Sequence, residues 1–384
     1  MKLKSIYVDN FKSLVDFKMD FSDMNIIVGL NSSGKSNFIQ CLDFISCLMA
    51  GSIDPWLSYY GLPLNDIPFN DSVKNPKITF RINFSNDKSD NNYWKCVYDT
   101  ELQYCIEEQL CISDCEVLVC NPTHAKKCFC EIYQNGQSDK RPITCDNEGS
   151  IFAKSFGFLS DDFSEFRDFI TNILKVWKIP DIKQPVKQIP LYAIRQTLQN
   201  LTDPQHETIQ QAMKKAFPNF EYFKVSEDII DYGQLIIGES SKGEVIQTAA
   251  RNVSDGMLQY FIILLALHTP KYSVLLFDDI GDHTNTEVVD DLSKGLNASE
   301  KQIILTTHNP LILNYFEDDV AVKSMQFFYK TLEGCTQTVP FFSLLDMTKK
   351  LGVMGPGEVF ADTSLYRLVE FLTKTGHYGG NDDT

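Results

Sequence analysis

The feature that most constrains this chain is a glycine-rich stretch near its start, GLNSSGKSN at residues 29–37. It fits the phosphate-loop pattern G-x-x-x-x-G-K-[ST] at every fixed position, which are Gly29, Gly34, Lys35 and Ser36. Such a loop needs a buried strand before it and a helix after it. The sequence supplies both, because Asn25–Val28 is apolar and Asn37–Ala50 carries apolar residues at helical spacing. The stretch therefore predicts an α/β domain that holds phosphate, and it leaves the activity of that domain open.

Composition narrows the possible partners. With 384 residues, 43% of them hydrophobic and 12% aromatic, the chain has enough apolar material for one large or two ordinary folded domains. A net charge of −16 argues against a surface coated for duplex DNA, but it allows a local basic groove or a protein partner. The start of the chain lacks the apolar segment of a signal peptide, and the most apolar run, Met257–Leu267, is too short for a bilayer. We expect a cytoplasmic protein without a membrane-spanning segment.

The cysteines raise the question of a metal site. Of the eleven, eight lie between Cys96 and Cys145, but no C-x-x-C pair occurs and only His124 is nearby. A disulfide framework would need an oxidising compartment, for which the sequence carries no targeting signal. We therefore expect reduced, metal-free cysteines that pack on strands.

Hydrophobic periodicity predicts strands and helices around the loop. The interval Ile53–Pro76, which contains four prolines, is predicted to be a loop. Strands of an antiparallel meander are predicted at Lys77–Phe84, Tyr93–Thr100, Glu101–Ile106, Glu116–Cys120 and Cys128–Gln134. Later strands are predicted at Phe220–Val225, Ile229–Ile237, Glu244–Ala249, Ser273–Phe277 and Gln302–Leu305. Helices are predicted at Phe163–Trp177, Pro204–Phe217, Ser254–His268 and Val288–Leu296.

An acidic pair follows one of the buried strands. In SVLLFDD, residues 273–279, four apolar residues precede Asp278 and Asp279. This pattern puts charge at the carboxyl edge of a parallel sheet, where a phosphate loop also lies. Asp278 is thus a candidate magnesium ligand together with Ser36. A long insertion separates Lys35 from Asp278. Small GTPases have no insertion of this length between the two motifs.

Two further stretches fit the same site. NVSDGMLQYF, residues 252–261, places Ser254 and Gly256 at the start of a buried helix, where an N-cap and the helix dipole favour an anion. An ordinary capped core helix would give the same pattern. LTTHNP, residues 305–310, places His308 just after the next buried strand, although a lone histidine is more often structural.

In order and type, these motifs resemble the ABC-class AAA-family ATPases of bacterial defence systems. Their relatives include the ATPase half of the overcoming-lysogenization-defect nucleases, RecF, the heads of structural-maintenance-of-chromosomes (SMC) proteins, and the Septu, PARIS and retron-associated ATPases. The opening KLKSIYVDNFKSLVDFKMDF, YCIEEQL at 104–110 and MGPGEVFADT at 354–363 also resemble segments of this family.

The resemblance implies an α/β fold, a split ABC-type ATPase head with a phosphate-loop parallel sheet, an antiparallel β lobe and a helical insertion. We divide the chain accordingly into 1–52 (first part of the core), 53–149 (β lobe), 150–218 (helical insertion), 219–375 (second part of the core) and 376–384 (tail).

The resemblance also implies ligands and roles. ATP and Mg²⁺ are the expected cofactors, and two heads are expected to sandwich the nucleotide as a homodimer or a higher oligomer. Lys35 would hold the phosphates and, with Asp279 and His308, serve catalysis, while Ser36 and Asp278 would hold Mg²⁺. The remaining nucleotide contacts would come from Gly29, Asn31, Ser32, Ser33, Gly34, Asn37 and, across the dimer, Ser254 and Gly256.

The sequence departs from the family pattern after Asp278. The next residue is usually glutamate, the base that activates water, whereas here it is Asp279, and the following D-E-x-E-N-x-x-H pattern is altered. Asp282 is an alternative base. The glutamine of the lid loop has two candidates, Gln188 and Gln196, and Arg195 is a candidate nucleotide or DNA contact.

Three functions remain open at this point. The first is a slow ATPase that works as a sensor and holds or releases a separate effector, a nuclease or toxin, in antiphage defence. We find no nuclease-type acidic cluster in the sequence, which is why the effector would be another chain. The second is a RecF-like DNA-binding ATPase of repair, and the third is an ATP-holding scaffold that hardly turns over.

Overall fold

The fold is described from a computed structural model. It describes residues 1–69, 75–113, 115–120, 127–134, 136–144, 149–153, 160–176, 194, 196–226, 235–280, 286–344 and 347–375.

A six-stranded sheet carries the phosphate loop at the end of one strand. In sheet order its strands are β10 (Ile173–Val176), β14 (Val274–Phe277), β15 (Gln302–Thr306), β3 (Met24–Gly29), β16 (Met325–Lys330) and β17 (Thr336–Pro340). All neighbours pair in parallel except β16 and β17, which form an antiparallel hairpin. The carboxyl ends of β14, β15 and β3 therefore lie side by side.

Both faces of the central strands β14, β15 and β3 are buried, as expected for strands that are continuously apolar. Leu275, Phe277 and Leu305 face one hydrophobic core, which includes the helix Asp255–His268. Leu276 and Ile304 face the other core, which is shared with α1 (Lys35–Met49) and the β lobe. Because side chains alternate along each strand, neighbouring residues pack into different cores on the two faces of the sheet.

An antiparallel sheet of eight strands combines the predicted β lobe (53–149) with the first hairpin of the chain, and the name β lobe is used below for this whole sheet. In sheet order it contains β2 (Phe17–Asp20), β1 (Lys2–Asp9), β4 (Lys77–Ser85), β5 (Asn92–Asp99), β6 (Tyr104–Ile112), β7 (Cys115–Cys120), β8 (Lys127–Gln134) and β9 (Gln137–Thr144). The predicted meander is confirmed from β4 to β8, and β9 extends it. The first hairpin of the chain, β1 and β2, joins this sheet through β4.

A third sheet and several helices complete the described fold. The sheet runs in the order β11 (Phe220–Val225), β12 (Leu235–Ser241) and β13 (Glu244–Ala249). Besides α1, the helices are α2 (Asp54–Tyr60), α3 (Asp161–Thr171), Asp203–Ala216, Asp255–His268, Thr286–Asn297, Pro310–Leu313, Asp318–Ser324, Met347–Lys350, Pro356–Asp362 and Leu365–Thr375. Short 3₁₀ turns lie at Leu64–Asp66, Ile151–Ala153, Ala250–Asn252 and Phe341–Ser343. No helix in the described ranges is long and apolar enough to cross a membrane.

Three predictions of local structure are wrong. The interval predicted as loop contains α2, because Pro55 lies in the first helical turn, where its missing N–H costs nothing. The predicted helix Phe163–Trp177 ends at Thr171, and β10 follows it and pairs with β14. The predicted strand Glu101–Ile106 begins only at Tyr104, because the Asp99 carboxylate accepts the N–H groups of Glu101 and Leu102 and forms a turn.

A half-buried lysine connects the helix Asp255–His268 to the residues that precede the next strand. The Nζ of Lys301 donates to the carbonyls of Ala266, Thr269 and Tyr272, which lie at and just beyond the end of this helix, where carbonyls lack helical partners. Burial lowers the pKa of Lys301 to about 8. The helix that begins at Ser254 is therefore held at its far end, close to the start of β14.

Candidate nucleotide-binding site

The phosphate loop requires glycine at two positions. Gly29 has φ 152° and Gly34 has φ 105°, conformations that side chains rarely adopt. A Cβ on Gly34 would lie 2.0 Å from Thr336 Oγ1, and one on Gly29 would lie 2.3 Å from the Phe328 carbonyl oxygen. The loop is thus packed tightly against the β16–β17 hairpin, and its glycines are needed for space as well as for backbone conformation.

A chain of hydrogen bonds connects the phosphate loop to the strands packed against it. Thr336 Oγ1 donates to the Ser33 carbonyl at 2.9 Å and lies 2.8 Å from Ser13 Oγ. Asn37 Nδ2 in turn donates to Ser13 Oγ at 2.8 Å. The loop therefore connects to both β17 and the turn between β1 and β2. Asn31 and Ser32 lie on the exposed side of the loop, whereas Ser33 and Gly34 are buried.

Lys35 is held across the loop. Its Nζ donates to the carbonyls of Gly29 at 2.9 Å and Leu30 at 3.0 Å. Burial lowers the pKa of Lys35, and the nearby carboxylates of Asp279 and Asp278 oppose this effect. The ammonium group therefore lies close enough to both acidic side chains for their charges to interact.

Ser36 and Asp278 come together at the sheet edge. The Ser36 hydroxyl donates to Asp278 Oδ1 at 3.2 Å, although the two residues are far apart in sequence. Their proximity follows from the strand order, because β15 lies between β3 and β14 and all three run parallel. Two oxygen donors of this kind suit Mg²⁺, which prefers hard oxygen ligands.

Asp279 and His308 form a pair beside this position. The Nδ1 of His308 lies 2.8 Å from Asp279 Oδ1, and the two side chains are 48% and 39% exposed, the histidine the more so. Asp279 also has φ 68°, a left-handed conformation that is uncommon outside glycine. A carboxylate and an imidazole that are hydrogen-bonded and still open to solvent have the arrangement of a proton-accepting pair.

The sequence motifs did not indicate two threonines after β15 and at its end, which bind the segment that contains the acids. Thr306 Oγ1 donates to Asp278 Oδ1 at 2.9 Å and accepts the Asp279 N–H at 2.8 Å. Thr307 Oγ1 donates to the Ile280 carbonyl at 3.0 Å. Phe277 pairs with Leu305 in the β14–β15 register, so the residues that follow them meet across the strand ends. Only the strand register could have identified Thr306.

Ser254 and Gly256 lie at the start of their helix, as predicted. Ser254 is exposed and is the N-cap, with its hydroxyl accepting the Met257 N–H at 3.4 Å. This bond lies within the helix and does not connect Ser254 to the cluster of Lys35, Ser36, Asp278 and His308. The structure thus brings together the loop, the acids and the histidine, and leaves the Ser254 end facing solvent.

Some predicted residues lie outside the described residues. They are Gln188, Arg195 and Asp282, together with the tail 376–384. Gln196 is described and lies in a helical turn at 196–199, and no role is assigned to it.

A second cluster of polar groups is buried in the β lobe. Ligand atoms of Cys96, Cys105 and Glu108 lie within 4.8 Å of one another, and all three residues are buried. The Glu108 carboxylate already accepts from Trp94 Nε1 at 3.0 Å, Ser150 Oγ at 2.6 Å and the Ile151 N–H. Because these donors satisfy the carboxylate, we keep the prediction of reduced, metal-free cysteines for this lobe.

A parallel sheet that ends in a phosphate loop, with paired carboxylates and a histidine on the neighbouring strand ends, defines a phosphate-loop ATPase head. A family model described as AAA ATPase domain matches residues 1–259, and the chain belongs to this family. Asp278, Asp279 and His308 lie beyond the matched range.

Similarity to individual proteins is partial. RecF, the DNA replication and repair protein of Caldanaerobacter subterraneus, is 45% identical over 47 residues, which are 12% of this chain and 13% of RecF. The endonuclease GajA of Bacillus cereus is 26% identical over 97 residues, 25% of this chain and 16% of GajA. The chain thus spans only a small part of the length of these curated relatives.

Among solved structures, the fold is similar to that of an SMC head crystallised with the C-winged helix domain of ScpA. That comparison has a TM-score of 0.53 at 15% identity and covers 90% of this chain and all of the other. At this identity the likeness shows the fold alone, and it confirms the predicted ABC-type head.

Proposed function

We propose that this chain binds and slowly hydrolyses ATP and that it acts as a nucleotide-switched subunit which holds or releases an effector protein in antiphage defence. The observation that carries the proposal is the convergence of Lys35, Ser36, Asp278, Asp279 and His308 on one edge of the parallel sheet. Asp279 and His308 are exposed enough to contact a ligand, and the loop beside them is packed against Thr336.

Each residue receives a role from its position. The loop backbone and Lys35 would bind the β- and γ-phosphates, and Ser36 and Asp278 would hold Mg²⁺, whose charge would offset that of the phosphates. Asp279, oriented by its bond to His308, would accept the proton of the attacking water. Ser254 and Gly256 are assigned to the partner's nucleotide because their helix end is exposed.

The defence role rests on the similarity to GajA, which is an endonuclease, and on the motif order in this chain. We propose that this effector is a separate protein chain. The net charge of −16 also favours a protein partner over duplex DNA.

A RecF-like repair ATPase is the second candidate, and the identity of 45% over 47 residues to RecF favours it. It predicts hydrolysis that DNA stimulates and that salt suppresses steeply. The sensor proposal predicts that DNA alone changes the rate little.

Phosphate release by the purified protein, with and without duplex DNA, tests both candidates. Lys35→Ala is the negative control. Magnesium-dependent hydrolysis that Lys35→Ala abolishes supports the ATPase assignment, and absence of nucleotide binding by the wild type would overturn it. A large stimulation of hydrolysis by DNA would favour the repair ATPase over the defence subunit. Capture of a nuclease or toxin by the native protein would support the defence role.

A further inference from the structure

The candidate site contains one side chain that touches both acids and that no sequence motif assigns. Thr306 is the last residue of β15 and is 1% exposed. Its hydroxyl has one hydrogen, which goes to Asp278 Oδ1 at 2.9 Å, and its oxygen accepts the backbone N–H of Asp279 at 2.8 Å. Donor and acceptor roles are therefore fixed, and a residue without a hydroxyl at this position leaves both groups without these bonds.

Thr306 acts on Asp278 in concert with Ser36. Both hydroxyls donate to the same carboxylate oxygen, Oδ1, Thr306 from the end of β15 and Ser36 from the first turn of α1. A carboxylate fixed in this way keeps one orientation, and orientation of a ligating carboxylate by neighbouring donors is what tunes the affinity of a metal site. Hydrogen bonds to a charged carboxylate are also stronger than neutral ones.

Thr306 also supports the unusual backbone of Asp279. That residue has φ 68°, which an aspartate adopts only when its surroundings compensate. Its N–H is bound by Thr306, and its carboxylate is bound by His308 Nδ1 at 2.8 Å. Two residues of one short segment, Thr306 and His308, thus fix the main chain and the side chain of the candidate base.

We infer that Thr306 is a positioning residue of the ATPase site, which aligns Asp278 for magnesium and Asp279 for water at the same time. The inference rests on the proposed function. It makes Thr306, through one hydroxyl, the structural link between the metal-binding carboxylate and the proton-accepting one.

Equilibrium binding of a fluorescent ATP analogue, titrated with Mg²⁺, tests this inference without turnover. Thr306→Val removes the hydroxyl and keeps the shape, whereas Thr306→Ser keeps the hydroxyl. We expect Thr306→Val to bind nucleotide normally in EDTA and to need about ten- to a hundredfold more Mg²⁺ for tight binding. Thr306→Ser should recover most of the loss.

Thr338→Val is the matched control. Thr338 lies on β17 of the same sheet, is largely buried, and has its hydroxyl 3.4 Å from Gln326 Oε1, away from the acids. Thermal unfolding of each variant identifies general damage to the fold. We expect the control to keep the wild-type Mg²⁺ dependence.

A double-mutant cycle with Asp278→Asn separates positioning from unrelated effects. If Thr306 acts on magnesium through Asp278, then adding Thr306→Val to Asp278→Asn should change the Mg²⁺ requirement no further. A wild-type requirement in Thr306→Val, or fully additive effects in the double variant, would overturn the inference. If the wild type itself bound no nucleotide, the proposed function would fail instead, so the two failures are distinguishable.

Discussion

At the scale of single residues, the rate of the proposed hydrolysis depends on Asp279. Its side chain is one methylene shorter than the glutamate that the family usually carries, and its hydrogen bond to His308 fixes where the carboxylate points. A base that is short and fixed in place would reach the attacking water less well. The expected result is slow turnover and a long-lived ATP-bound state, which suits a sensor better than a motor.

Three variants test this role. A well-placed base contributes about 10²–10⁴-fold in rate, and a shorter one forfeits part of this contribution. Asp279→Asn should therefore lower single-turnover hydrolysis by part of that factor and trap bound ATP. Asp279→Glu should speed hydrolysis if the pocket accepts the extra methylene, and Asp278→Asn should weaken Mg²⁺ binding instead. If Asp279→Asn hydrolyses ATP as fast as the wild type, another carboxylate such as Asp282 is the base.

Gly34 gives a second prediction at this scale. In Gly34→Ala the new methyl group would lie 2.0 Å from Thr336 Oγ1 at φ 105°. Overpacking of this kind costs about 1–3 kcal/mol and would displace the Thr336–Ser33 bond that anchors the loop. We expect at least tenfold weaker nucleotide binding, measured by fluorescence titration, together with a lower unfolding temperature.

Gly243→Ala is the matched control for Gly34→Ala. Gly243 also has a positive φ, 85°, but a methyl group added there would meet no atom within 4 Å. The control should lose some stability through backbone strain and keep its nucleotide affinity. Equal affinities for the two variants would show that close packing against Thr336 does not support the loop.

The sequence identified the residues of the site that belong to motifs and missed those that depend on strand register. Gly34, Lys35 and Asp278 follow from patterns within short stretches. Thr306 and Thr336 contact the site because β15 and β17 place them beside it. The spacing of residues along the chain does not show which strands are neighbours in the sheet. Ser13, which hydrogen-bonds to Thr336 and Asn37, could not be predicted from the sequence for the same reason.

At the scale of helices and strands, the sequence also predicted what depends on local pattern and missed what depends on strand pairing. The long periodic helices and buried strands were predicted because burial on one or both faces imposes a pattern. The helix α3 was predicted too long, since Ile173–Val176 is apolar enough to continue it and becomes a strand only by pairing with β14. The hairpin β16–β17 was not predicted, although it supplies the wall against which the phosphate loop packs.

Glu108 links the β lobe to the helix that carries the phosphate loop. Its carboxylate accepts from Ser150 and Ile151, and the Ser150 N–H donates to the Leu48 carbonyl near the end of α1 at 2.8 Å. Gly149 packs so closely on this helix end that a Cβ would lie 2.5 Å from the Leu48 oxygen. The segment is thus clamped between the lobe and α1.

This link predicts a pH dependence of stability. Burial raises the pKa of Glu108 from an ordinary 4.5 to about 7, against hydrogen bonds from Ser150, Ile151 and Trp94 that lower it. Between these two values the folded state binds the proton more readily than the unfolded state does. The contribution of Glu108 to stability is therefore full below pH 4.5 and falls as the pH rises towards 7, by about 3 kcal/mol in total.

Glu108→Gln removes the titration while keeping one carbonyl oxygen as an acceptor. Urea unfolding of both proteins at several values between about pH 5 and 8 should show the variant gaining relative to the wild type as the pH rises. The Glu107→Gln variant is the control, because Glu107 lies partly exposed beside Lys95 on the neighbouring strand. A difference between wild type and Glu108→Gln that does not vary with pH would contradict the assignment.

At the scale of the whole molecule, the proposed function makes the chain one half of a nucleotide sandwich. Ser36, His308 and the Ser254 helix end are exposed, and both acids are partly exposed. Among the hydrogen bonds of the described residues, the Ser254 side chain bonds only within its own helix. In the proposed sandwich, a second copy would complete the site by supplying this helix N-terminus, where the backbone N–H groups favour an anion. ATP would then hold two heads together, and hydrolysis would release them.

Sedimentation velocity with and without ATP and Mg²⁺ tests this claim most directly, using Asp279→Asn to hold the bound state. We expect a dimer that appears with ATP, is lost in Lys35→Ala and Ser254→Arg, and persists in Thr202→Arg, which replaces the cap of another helix. If ATP leaves the mass of Asp279→Asn unchanged, or if Ser254→Arg assembles as the wild type does, the two heads do not share the nucleotide and the switch proposal is contradicted.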